Sequence, residues 1–369
     1  AFGTGLLAIV RRGVVHLRKP SLFLIAAFLF FLWTALTYFW SWVPSATFGA
    51  FTTYAQLFML SWLIWQFCRG PRESAVLMQA FVLGCYVLAG AGFATFFSSP
   101  SVEFRDVGGF NANEFAITAA LGIPMAWYLG LNGRNRTPFL MWLHLLYPLV
   151  ALAAVVLAAS RGGMLTTLVA VSVVPLTLTR LSLWRRLVIF ALIGVSVWAV
   201  FVYAPQVFPD LQQNIERLAG TDEELTSGTL TGRTEIWAAG LSVFEESPVV
   251  GIGMKAFRWA AEPILGQAKS PHNAFLEAAV GGGLVGLVLF SSLSVLALIS
   301  AFALRGGGRT FMVVLVLALL VGMQPSNSTD RKYTWFVLSL VAAQAPIVLT
   351  LRSREGDDRP AALGAEAAR

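Results

Sequence analysis

The chain has 369 residues, 57% of them hydrophobic and only 12% charged, with a mean hydropathy of +0.72. That composition excludes a soluble globular domain, and it makes the net charge of +7 a matter of membrane topology rather than of nucleic-acid affinity. No HExxH, CxxC, Walker loop or metal-thiolate spacing is present, and Cys68 and Cys85 are not expected to form a bridge.

Residues 1–10 read as the inner end of a helix, and a start at Ala rather than Met leads us to expect at least one more helix upstream. Apolar stretches follow at Leu22–Trp40, 48–67, 75–97, 113–131, 138–159, 163–179 and 186–204. A polar segment, 205–271, separates them from three more at 273–304, 310–324 and 333–351. Roughly 20 helical residues cross a hydrocarbon core about 30 Å thick. The expected fold is therefore all-α, a polytopic membrane helical bundle of about 10–12 transmembrane helices with one large extramembrane segment between two of them. The expected organisation is N-terminal membrane helices over 1–204, a polar helical segment over 205–271, C-terminal membrane helices over 272–351 and a charged, Ala-rich, disordered tail over 352–369. Gly306, Gly307 and Gly308 are expected to form a linker.

Charge assigns the sides. Seventeen of the 26 Lys and Arg residues fall in every second connection, at 11–19, 69–72, 134–136, 180–186, 305–309 and the tail, and the positive-inside rule makes those cytoplasmic. The other nine share the opposite side with segment 205–271, as do all acids except Glu73 and those of the tail. Chemistry open to water is expected on that outer face.

Four features stand out there. Arg161 follows Ser160 and precedes two glycines that would let another group approach its guanidinium; alone it also reads as a snorkelling anchor. Arg233 opens an amphipathic helix with Trp237, Leu241 and Phe244 on one face, which would direct it toward the membrane domain rather than leave it solvated. Pro248, Gly251 and Gly253 form a turn that is either scaffold or a source of backbone N–H groups for an anion. His272, beside Asn273, precedes an apolar Gly-rich helix and reads either as an interfacial histidine or as a base.

In this order the motifs resemble the bacterial O-antigen ligase and Wzy polymerase superfamily: Arg105, Gly108, Phe110 and Asn113; Ser160, Arg161 and Gly162; Gly232, Arg233 and Trp237; Pro248, Gly251 and Gly253; His272 and Asn273; Gly281 to Gly286. The resemblance covers about half the chain. Ala112 stands where the family usually has Pro.

The resemblance implies a metal-independent inverting glycosyltransferase with no cofactor, in the inner membrane of a Gram-negative bacterium with its site facing the periplasm. Its implied partners are an undecaprenyl diphosphate-linked glycan as donor, lipid A-core as acceptor and membrane lipid, with no nucleic acid. His272 would be the catalytic base, and Arg161 and Arg233 would bind the donor diphosphate. Guanidinium forks suit that task because they bind phosphate oxygens bidentately without titrating. Arg105, Lys255, Arg258, Asn273, Arg331 and Lys332 are accessory candidates. For Lys255, Arg258, Lys269, Arg331 and Lys332, a solvated or headgroup-facing position competes with a role at the diphosphate. Glu235, Glu262, Glu277 and Asp330 are rival carboxylate bases. An O-antigen polymerase, a protein O-oligosaccharyltransferase and a secondary transporter are the alternative functions.

Overall fold

The computed structural model describes residues 17–98, 106–107, 109–132, 137–178, 181–207 and 233–345. The expectations for 1–10, Arg105, Gly108, residues 208–232 of the polar segment with Gly232 among them, and the tail lie outside these residues.

Within them the chain is helical apart from one short hairpin. The elements are α1 (Leu22–Leu36) with a 3-10 turn (Thr37–Trp40), α2 (Pro44–Phe67), α3 (Pro71–Ser98), β1 (Asp106–Val107), β2 (Phe110–Asn111), α4 (Ala112–Asn132), α5 (Pro138–Leu157), α6 (Arg161–Val171), α7 (Val173–Thr177) and α8 (Leu183–Val207). After segment 208–232 come α9 (Arg233–Glu246), α10 (Phe257–Ala260), α11 (Glu262–Leu265), α12 (Ala274–Phe302), α13 (Gly306–Met323) and α14 (Lys332–Ala342). β1 and β2 pair antiparallel, Asp106 opposite Asn111 and Val107 opposite Phe110. Among the described residues six helices are long and apolar enough to cross a membrane, and Leu22, Val87, Phe139 and Leu149 are among the large apolar side chains that their outer faces expose. The chain is an all-α, multi-pass membrane protein.

Sequence explains where the helices start. Ser21 caps α1, its Oγ accepting from Leu24 N at 3.2 Å, and Pro44 and Pro138 occupy first-turn positions where no N–H is needed. Helices in lipid associate by close packing rather than by hydrophobic expulsion. α4 accordingly sits enclosed among α3, α5, α6 and α13, with small residues at the contacts. A Cβ on Gly122 would lie 2.6 Å from Tyr147 Oη, and one on Gly322 would lie 2.9 Å from Ile117.

Three expectations need correction. The stretch 163–179 is two helices, α6 and α7, because Pro175 cannot donate to the carbonyl four residues back at Val171. Gly306, Gly307 and Gly308 are not a linker but the first turn of α13; Gly306 (φ +57) turns the chain into the helix, and the first-turn N–H groups need no helical partner. The buried stripe of α9 is Ile236, Ala239, Gly240 and Val243, one position off the expected face, and Leu241 is exposed.

The two ends of the bundle are built differently. At one, Arg18 donates to the carbonyls of Trp65 and Cys68, both at 3.1 Å, and Ser74 bonds Gln344 at 3.1 Å. At the other, α9 to α11 form a cap around Ile236, Val243, Ile252, Phe257 and Val280. Burial of each such side chain contributes about 1.5–3 kcal/mol.

The cap is spliced into α12. That helix breaks at Gly283 (φ +67, ψ −166). The carbonyls of Val280 and Gly281 accept instead from Ile252 N and Gly253 N, at 3.1 and 3.0 Å, while Leu284 N donates to Pro248 O at 2.8 Å. Trp33 Nε1 donates to Gly282 O at 2.8 Å. The N–H groups of Gly251, Ile252 and Gly253 are therefore spent inside the protein, so the turn is scaffold and not an anion cradle.

Candidate active site

The loop joining α13 to α14, 324–331, ties the polar end together. Its first anchor is the start of α6. Ser160 Oγ accepts from Gly163 N at 2.9 Å, capping the helix, and donates to Asn113 Oδ1 at 2.6 Å; Asn113 Nδ2 reaches Pro325 O at 3.4 Å. The two glycines after Arg161 serve packing rather than access to the guanidinium. A Cβ on Gly162 would lie 2.3 Å from Pro325, and one on Gly163 would lie 2.3 Å from Ala116. Arg161 is thus the first residue of a helix seated on this loop, half-buried at its edge.

Its second anchor is the start of α12. Asn273 caps that helix, its Oδ1 accepting from Phe275 N at 3.0 Å and Leu276 N at 3.1 Å, and its Nδ2 donates to Gln324 Oε1 at 3.3 Å. His272 N donates to Asn327 Oδ1 at 2.7 Å, and Pro271 O accepts from Trp237 Nε1 at 3.1 Å. Arg233, half-buried and one turn before Trp237 on α9, acts on the His272 ring. Burial first, then the charges of Arg233 and Lys269, hold the His272 imidazole below its usual range, so it is neutral at pH 7.

The third anchor is ionic. Lys255 Nζ lies 2.7 Å from Glu277 Oε1 and 3.0 Å from Asp330 Oδ1, Thr329 Oγ1 donates to Glu277 Oε2, and Arg331 Nη2 lies 2.6 Å from Glu114 Oε1. Burial works to lower the Lys255 ammonium pKa, but the two carboxylates outweigh it and leave the group above its usual range. Lys255 and Arg331 are not merely solvated or facing headgroups: each neutralises acids, Glu277 and Glu114, that the fold buries. Glu277 and Asp330, two of the rival bases, already hold a cation, and Glu235 and Glu262 are exposed.

Non-glycine residues with left-handed backbone gather at this end. Among the described residues they are Ala159 (φ +47), Lys255 (φ +67) and His272 (φ +46), each in or next to one of the three anchors. Such conformations cost about 1–3 kcal/mol each and persist where the surroundings over-determine them, as at functional sites. The N-termini of α4, α6, α12 and α14 also converge on the loop, so their positive dipole ends add to the arginines.

Residues 146–291 match the family model described as Wzy_C, O-antigen ligase. The chain carries a Wzy_C segment. The segment holds Ser160, Arg161, Arg233, the spliced turn, His272, Asn273 and the broken part of α12, and it stops before loop 324–331. An "Exopolysaccharide production protein ExoQ" from Rhizobium meliloti (strain 1021) is 38% identical over 80 residues, 19% of this chain. The chain spans only 18% of that relative's length. A chain of a solved structure, described as "Structural coordination of polymerization and crosslinking by a peptidoglycan synthase complex", is 18% identical with a TM-score of 0.42, covering 89% of this chain and 97% of that one. Both sequence matches, one to an O-antigen ligase family model and one to an exopolysaccharide production protein, cover less than half of this chain.

Around the Wzy_C segment the structure gathers His272, Asn273, Arg233, Lys255 and Arg331 through direct contacts or adjacent charge, and Arg161 through the helix start that packs on Pro325. Arg258 and Lys332 stay exposed, Lys269 is half-buried, and Arg105 lies outside the described residues. Sequence reasoning missed Asn327, Thr329 and Glu114. Pro325 to Lys332 is an unbroken polar run between two apolar helices, which marks the loop but not which of its residues act, and nothing in the sequence pairs Glu114 with it.

Proposed function

We propose that this protein is an O-antigen ligase, a metal-independent inverting glycosyltransferase. It moves polysaccharide from undecaprenyl diphosphate to lipid A-core at the periplasmic face of the inner membrane. The observation that carries the reading is His272, with the Arg233 charge acting on it, fixed by Asn327 at the start of a broken helix within a Wzy_C match.

In this mechanism His272 takes the proton of the acceptor hydroxyl. The acceptor oxygen attacks the anomeric carbon on the face opposite the diphosphate. A new C–O bond forms as the bond to the carrier phosphate breaks, inverting the configuration. The electron pair leaves with the diphosphate, whose growing charge is met by Arg161, Arg233 and the converging helix N-termini. Such donors accelerate transfer because they bind the departing diphosphate more strongly than the intact donor. One guanidinium–phosphate contact near 4 Å is worth up to about 4 kcal/mol at an effective dielectric near 20, before desolvation.

An O-antigen polymerase would use the same residues with a second carrier-linked glycan as acceptor, and the likeness to an exopolysaccharide production protein favours this as the second reading. Consumption of carrier-linked glycan by purified protein tests both. His272→Ala removes proton transfer and lowers the rate about 10²- to 10⁴-fold. Arg161→Ala and Arg233→Ala weaken donor use, and Lys at either position restores little because it lacks the planar fork. Retained consumption by His272→Ala sinks the base assignment.

A further inference from the structure

His272 sits in left-handed backbone that an L-residue adopts only under constraint, and each of its neighbours is held from a different direction. Pro271 O is fixed by Trp237, Asn273 by its own helix and by Gln324, and among the described residues the His272 backbone N–H donates to Asn327 Oδ1. The Asn327 amide is itself on a rigid platform. Pro325 packs on Gly162, Thr329 donates to Glu277 and accepts at its carbonyl from Trp335 Nε1 at 2.8 Å, Asp330 pairs with Lys255, and Arg331 pairs with Glu114.

We propose that Asn327 is a positioning residue for glycosyl transfer: by accepting the His272 N–H on a loop pinned to four other elements, it sets where the imidazole points. The proposal rests on His272 as the base. It adds a residue outside the Wzy_C match that acts through the His272 backbone. The charges facing His272 are Arg233 on α9 and Lys269 on its own loop; on the loop packed against it, Asp330 is occupied by Lys255 and Arg331 by Glu114. A carboxylate at position 327 would therefore be a new anion beside the imidazole.

The test measures loss of carrier-linked glycan, using donor extracted from cells lacking the gene, with full-length protein purified in detergent, across pH 5 to 8.5. Asn327→Ala is expected to lower kcat about tenfold to a hundredfold, as loss of alignment does, with little change in KM for the donor. Asn327→Asp keeps an acceptor oxygen. It is expected to restore most of the rate at the alkaline end while moving the acid limb of the profile up by about one pH unit, since an adjacent anion favours the imidazolium. If Asn327→Ala fails to fold, the shifted limb of Asn327→Asp decides alone. An Asn327→Asp profile superimposable on the wild type overturns the proposal, as does an Asn327→Ala enzyme with wild-type kcat. The underlying reading fails separately, by retained transfer in His272→Ala.

Discussion

Trp237 donates its indole N–H to the carbonyl of Pro271 at 3.1 Å, so the helix that carries Arg233 is fastened one residue before His272. The arginine and the histidine thereby keep their spacing although 39 positions separate them in sequence. Trp237→Phe keeps an aromatic ring, though a smaller one, and removes the donor. We expect a loss of at least about 1 kcal/mol in stability, the worth of the bond alone before the smaller ring's lost packing, and a larger relative fall in transfer rate. Thermal melting and glycan consumption measured on the same preparation check this.

The acid side of the pH profile reports His272. Its folded pKa lies below the ordinary 6.5, so the neutral base is the main form at pH 7 and is lost only as pH falls through that lowered value. Transfer should be flat from pH 7 upward to about 8 and should decline with a midpoint below 6.5. Arg233→Gln removes one of the charges that depress the pKa, and its acid limb should move toward higher pH. A midpoint that ignores Arg233 would show that the two groups do not interact.

The ion cluster makes a stability prediction with a direction. Lys255 stands between Glu277 and Asp330, so Lys255→Met leaves two carboxylates facing each other, whereas Glu277→Gln leaves Lys255 still paired with Asp330. Breaking a mostly buried pair costs about 3 kcal/mol, so Lys255→Met should melt well below Glu277→Gln. Its deficit should shrink as pH falls, because one of the facing carboxyls then takes up a proton. Equal melting of the two variants would show that the cluster is not coupled.

The splice between cap and α12 depends on backbone that only glycine supplies. A Cβ at Gly283 would lie 2.2 Å from Val249 O and would force φ +67 on an L-residue, while one at Gly307 meets nothing within 4 Å. Gly283→Ala should abolish folded protein or strip the cap from the bundle, and Gly307→Ala should be neutral. Yield and melting in detergent compare them directly.

Much of this was legible in the sequence, for definable reasons. Apolar length placed the helices, since a bilayer dictates how many residues cross it. His272, Arg161 and Arg233 could be singled out because cations and a lone histidine are conspicuous beside apolar helices. The face of α9 was misplaced because Trp237 and Leu241 look like core, yet Gly240 is what the close approach of Leu276 and Phe257 requires. Asn327 was not legible, because one asparagine in a polar run gains its meaning only from the His272 N–H it meets across 55 positions. Lys255 and Arg331 looked like solvated cations for the same reason: their carboxylates come from other elements.

The central claim is that this chain transfers glycan from a lipid-diphosphate carrier, with His272 as base. The most direct measurement is the lipopolysaccharide banding pattern and carrier-linked glycan pool of cells lacking the gene, restored with wild-type chain or with His272→Ala. The account predicts core-only lipopolysaccharide with long polymer stranded on the carrier, cured by the wild type and not by His272→Ala. Core capped with a single repeat would make the chain a polymerase. An unchanged pool, or full rescue by His272→Ala expressed at the wild-type level, would contradict the account.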